Sequence, residues 1–422
     1  MFEGLSLDQA PPLSVVMRFF LTLPVFGLFL SLLMIFAPHD VLTLSHPLSL
    51  ASIHLLFLGV ISMGMIGALF QMQSVLGGKP IPNPHGNSLI IHTLFALGTL
   101  SLVCAFAFGI SELFIIAGVF LGSAVVYFAQ ILLPLLFGTI THDTLKGMRL
   151  AVIAFLLTAT LGIVMATSYA NGTFGDYHTL IRTAHYSLGL IGWVAMLIVY
   201  VAFQVIEMFY VTTPYSDWCK HNVGRILAGV LALKVLWLFL NLPFSWLTDM
   251  IAVSLLFGFV VTTVKRLQMR KRRVSDVSIL FWKGGVALLG LALMSYSGYL
   301  FSDYAPLETV SLISFALFAL SIILGMMGKI VPFLVWFHLS SSGFMDTPIM
   351  SNIIPQKRLK ITFWLFSATA ISALLAPFYA NILILCGLTS TAMFTLLLFN
   401  LITAKRLYHY TLEHGIKFSF QS

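Results

Sequence analysis

HLLFLGVISMGMIGALFQMQSV, residues 54–75, runs for 22 positions without an Asp, Glu, Lys or Arg. As a helix it reaches about 33 Å, enough to cross the roughly 30 Å apolar core of a bilayer. Working outward, apolar runs of helical length recur at 15–37, 50–76, 87–109, 112–138, 145–168, 178–206, 223–241, 246–265, 279–301, 307–338, 359–377 and 380–403. Breakers separate them, among them Pro38, Pro47, Gly77-Gly78, Pro80, Asn171-Gly172, Pro214, Pro243, Pro306, Pro348 and Pro355. The runs are too long for barrel strands, and lipid leaves no partner for open backbone, so each is read as a helix. The sequence therefore predicts an all-α membrane protein with twelve transmembrane helices, forming a single polytopic domain over 1–422.

Composition agrees. Of 422 residues, 59% are hydrophobic and 9% charged, against about 25% charge in soluble domains. Mean hydropathy is +1.01. These values exclude a soluble enzyme, a nucleic-acid binder, a disulfide scaffold and a disordered chain. The three cysteines, Cys104, Cys219 and Cys386, form no framework. The opening MFEGLSLDQAPPLS carries Glu3 and Asp8 but no basic n-region, so the first run is expected to remain as a membrane helix.

The basic residues set an orientation. With twelve spans both termini share one side, and that side collects nineteen Lys and Arg: Arg18, Lys79, the pair Lys146 and Arg149, Lys220, Arg225, the KRLQMRKRR run at 265–273 that ends in Arg272 and Arg273, Lys283, and those of the last loop and tail. The other side has only Arg182. This asymmetry predicts cytoplasmic termini in a bacterial-type inner membrane, with the bilayer as the certain partner. It also accounts for the net charge of +8 without nucleic acid.

Spans two, six and ten end alike. Phe70-Gln71, Phe203-Gln204 and Gly328-Lys329 each place a long polar side chain near the cytoplasmic end. The four-span spacing predicts three pseudo-symmetric four-helix arcs (359–422 with 1–76; 87–206; 223–338), with spans two, six and ten at the centre. Gln71, Gln204, Glu207, Lys234 and Lys329 then form a candidate polar path. Lys234 is read near mid-membrane, about eleven residues into span seven, and must find a carbonyl, a carboxylate or a cofactor's acidic group. Lys329 heads a segment broken by Pro332, with Glu207 as its candidate partner.

Spans two and six share a second feature. His54 lies 17 residues before Gln71, and His185 lies 19 before Gln204, which separates the two layers by roughly 25–29 Å. A buried imidazole is costly unless paired or ligated, and imidazole is a standard haem and metal ligand. The bland alternative for each is a hydrogen-bonded structural histidine. His178, with His39 and His46, could complete an outer metal shell, and His92 with His338 an inner one, although solvated and capping roles compete. His85, His142, His221, His409 and His414 are interfacial, loop or tail residues.

Twelve spans, His54, and a span six with His185, Gly189 and Gly192 resemble the catalytic subunit of haem–copper oxidases. The likeness is closest to the divergent NnrS-like and cbb-oxidase-subunit-like proteins. The resemblance implies a haem, of b type, on His54, and a metal position, copper in the oxidases, at His185. Span seven has no histidine and span ten lacks the outer His-x-His, so the oxygen-reducing site and the terminal oxidase activity do not carry over. The resemblance implies a haem-binding, and also a copper- or other metal-binding, role in nitric-oxide, respiratory or metal physiology. The alternatives are a transporter with a path between spans two, six and ten, and an assembly subunit that binds other respiratory subunits.

Overall fold

The computed structural model describes residues 6–138, 143–271 and 276–417. Glu3, His142, Arg272 and Arg273 lie outside the described residues. Among the described residues twelve helices are long and apolar enough to cross a membrane: α1 Leu13–Phe36, α2 Pro47–Gly77, α3 Pro84–Phe108, α4 Ser111–Phe137, α5 Asp143–Asn171, α6 His178–Tyr210, α7 Asp217–Phe239, α8 Trp246–Gln268, α9 Val277–Ser302, α10 Ala305–Ser341, α11 Gln356–Leu375 and α12 Ile382–His414. Short helices at Pro38–Leu42 and Met350–Ile353 punctuate two connections. The one β-bridge described pairs Phe344 with Lys417.

The observed helices outrun the apolar runs where a helix continues past its greasy part. α12 extends to His414 through Lys405, Arg406 and Tyr408, because charged residues end hydropathy without ending helix propensity. α7 starts earlier than its apolar run, where the Ser216 side chain caps it by accepting from Cys219 N–H. Pro332 does not break α10, which runs on to Ser341. The segment is therefore continuous, contrary to the expectation from sequence; packed neighbours tolerate a proline within a membrane helix.

Neighbours in sequence are neighbours in space. Each of α1 to α11 packs on the next, and α12 packs back on α1. Ser6 N–H bonds Val75 O beside the end of α2, and Met345 N–H bonds Ile416 O beside the end of α10. Both described chain ends thus lie at one end of the bundle, here called the terminal end; the opposite end is the distal one. α2, α6 and α10 are the most buried helices, with 67, 72 and 72% of their most apolar windows buried, against 61% in α9 and 44% or less elsewhere.

Close approach rests on small residues, as it must where lipid is as apolar as the helices themselves. A Cβ on Gly27 would lie 2.5 Å from the Phe394 ring of α12. A Cβ on Gly59 would lie 2.6 Å from Phe26 of α1.

Candidate functional site

The central helices are not uniform. Leu55–Ser62 of α2 and Leu188–Ala195 of α6 are π-helical. Met63 N–H reaches back five residues to Leu58 O, and Met196 N–H reaches back five to Ile191 O. Such stretches are rare and mark functional sites more often than chance. They also correspond in sequence: Leu55 and Leu188, Gly59 and Gly192, Ser62 and Ala195, and Gln71 and Gln204 are each 133 apart. Trp193 Nε1 donates to Ser62 Oγ at 2.9 Å, which ties the two π segments together. Trp193 is buried and stacks on Phe155 at 4.2 Å, which makes it a packing anchor of the core.

His54 stands immediately before the first π segment and His185 three residues before the second. Their ring centroids are 6.4 Å apart. His54 Nδ1 lies 2.7 Å from Leu50 O, one turn back on its own helix. His185 Nδ1 lies 3.0 Å from Thr158 O on α5. Nδ1 is therefore the protonated nitrogen of each neutral ring, and Nε2 keeps its lone pair. This is the arrangement by which a backbone carbonyl fixes a metal-binding imidazole. The histidines are separated by 131 residues, two fewer than their helices' correspondence. That slip turns His185 about 200° around α6 relative to the counterpart of His54, so the pair belongs to one interface and not to the repeat.

The pair suits a particular group. A metal about 2.0 Å from each Nε2, with ring centres roughly 1.1 Å behind the nitrogens, separates the centroids by about 6 Å for nearly opposed rings. No cluster of three or more His, Cys, Asp or Glu exists among the described residues. A copper or zinc site built by protein alone takes three or four such ligands, whereas a porphyrin brings four nitrogens and asks the protein for two. The donor set thus fits haem. Phe106 stacks on His54 at 5.6 Å and 21°. Gly162 of α5 leaves its flank open to His185, whose Cε1 would lie 3.1 Å from a Cβ there. Phe106, Thr158 and Gly162 carry no sequence signal of their own; only the fold brings them to the histidines.

The other candidates fall elsewhere. His178 meets Tyr169 and Phe174 edge-on at 5.8 and 4.9 Å. His46 lies 3.8 Å from Asp40 and caps the start of α2. His92 lies 2.8 Å from Thr22 Oγ1, while His338 packs on Phe337 with Nε2 buried and free of hydrogen bonds. No hydrogen bond or ring contact joins His92 to His338.

Both membrane lysines are paired. Lys234 binds Asp249 of α8, and both side chains are buried. Lys234 lies five residues from the end of α7, opposite Asp249 in the first turn of α8. Lys329 binds Asp276, and its ammonium also lies 5.2 and 5.1 Å from the Phe209 and Tyr210 rings. Glu207 is not its partner: that carboxylate binds Lys220 at 2.9 Å and accepts from Tyr215 N–H at 2.6 Å. Asp276 caps α9 through Ser278 N–H at 2.9 Å. Burial pushes the Asp276 carboxyl up, but the bonds from Lys329 and Ser278 outweigh it and hold the carboxyl below its ordinary value.

Gln71 is buried with Oε1 unbonded, and Gln73 is buried with both amide atoms unbonded. Gln204 is half-buried. No hydrogen bond or ion pair connects Gln71, Gln204, Glu207, Lys234 and Lys329 into one path. Compared with known proteins, the chain matches no family model and no curated protein.

Proposed function

We propose that this protein is a haem-binding protein of the inner membrane, holding a b-type haem between α2 and α6 on His54 and His185. One observation carries the reading: two imidazoles 6.4 Å apart, each with Nδ1 tied to a backbone carbonyl and Nε2 left for a metal. A haem held this way supplies one-electron chemistry or, if one imidazole leaves, a coordination site for a gas. The protein's own part is to fix both rings through the carbonyls of Leu50 and Thr158 and to cover His54 with the Phe106 ring. A place in nitric-oxide, respiratory or metal physiology, beside other respiratory subunits, follows the resemblance to NnrS-like proteins.

The same reading places both termini in the cytoplasm, by the distribution of Lys and Arg, and groups the helices as three four-helix arcs about α2, α6 and α10. The burial of those three helices and the 133-residue correspondence of two of them support the arcs.

The test is the visible spectrum of the purified protein with metal analysis. A Soret band that disappears in both His54→Ala and His185→Ala is expected. Carbon monoxide should leave the spectrum of the reduced protein unchanged if both imidazoles stay bound. A colourless, metal-free preparation from haem-replete cells overturns the proposal and favours a transporter. For that second reading the buried Lys234–Asp249 pair is the supporting feature, since intramembrane ion pairs mark transport paths.

A further inference from the structure

Where α2, α6 and α10 meet, about 17 Å along α2 from His54, the packing leaves a half-open cavity of about 70 Å³. Phe20 of α1 covers one side, and Gly64, Ala68, Leu197, Val201 and Met326 are among the residues of the wall. All its lining residues are aliphatic, aromatic, thioether or glycine. Gly64 and Ala68 lie one turn apart on α2 and hold back the side-chain volume that would otherwise fill the gap. Gly64 has no spare room toward α1, because a Cβ there would lie 3.0 Å from Leu23.

We propose that this cavity is a binding site for a small apolar guest, of the size of a diatomic gas or a xenon atom. The wall offers no hydrogen-bond partner, so a polar or charged guest would lose its hydration without compensation. Apolar cavities of about 150 Å³ stay dry and take up benzene or xenon; one half that size admits only smaller guests. Its walls come from the three most buried helices, so the void is shaped by the centre of the bundle. The proposal does not rest on haem at His54 and His185.

The test is ¹²⁹Xe exchange NMR on the full chain in nanodiscs, with empty nanodiscs as the background. A protein-bound xenon signal is expected in the wild type. It should be lost in Ala68→Leu and, from another helix, in Val201→Phe. It should persist in Gly258→Leu, a position on α8 where a Cβ meets nothing within 4 Å. Two filling variants on different helices keep the test sound if one fails to fold. A bound signal that survives both overturns the proposal. An absent wild-type signal overturns it as well, and native mass spectrometry then tells whether a co-purifying lipid that a filling variant expels occupies the site instead.

Discussion

Lys234 shows what a single buried charge demands. Its ammonium and the Asp249 carboxylate are both buried and paired with each other. Removing one partner of such a pair typically costs about 3–5 kcal/mol, whereas replacing both by apolar residues is often neutral or stabilising by about 1–4 kcal/mol. Lys234→Met alone should therefore lower the apparent melting temperature sharply, and adding Asp249→Leu should restore it. A Lys234→Met protein as stable as the wild type would show that the pair is not formed. Asp276 is a gentler case, because it lies at the membrane edge. Its carboxyl is held below the ordinary value of 3.8, so the stability it contributes is present above that pH and lost as pH falls further. Asp276→Ala also removes a helix cap, worth roughly 0.5–2 kcal/mol. Its melting deficit should be full at pH 7 and should shrink below pH 3.8.

At the scale of the helix, each π segment absorbs one residue more than an α-helix would hold, so deleting one residue from Leu188–Ala195 favours regular α-helix there and leaves the preceding part of α6 on roughly the same face. The same deletion within a regular α-helix would turn it by about 100°. Deleting Leu190 should thus preserve insertion, helix content and the Soret band. A band lost in that variant, as in His185→Ala, would mean that His185 depends on the π turns themselves. Trp193→Phe keeps the stack on Phe155 but strands Ser62 Oγ, and about 1 kcal/mol of stability should be lost.

At the scale of the whole molecule, the orientation is open to direct measurement. Thr173, in the α5–α6 connection, and Gln356, at the start of α11, are both exposed and lie at opposite ends of the bundle. In intact cells a membrane-impermeant maleimide should label Thr173→Cys and spare Gln356→Cys until the membrane is opened; the reverse pattern would invert the topology. The twelve helices were legible in the sequence because bilayer thickness and backbone hydrogen bonding act on each segment separately, and a run such as 54–75 reports both. His54 and His185 were legible as candidates for the same local reason, an imidazole in an apolar helix. Their partners were not. The carbonyl of Thr158, the Phe106 face, the open flank at Gly162 and the pairing of Lys234 with Asp249 join residues from different helices, and only packing decides which helix faces are brought together. The two-residue slip that separates the histidines from the 133-residue correspondence is written in the sequence. Its consequence, two rings meeting across one interface, needed the tertiary structure, because rotation about a helix axis has no meaning until a neighbouring helix is in place.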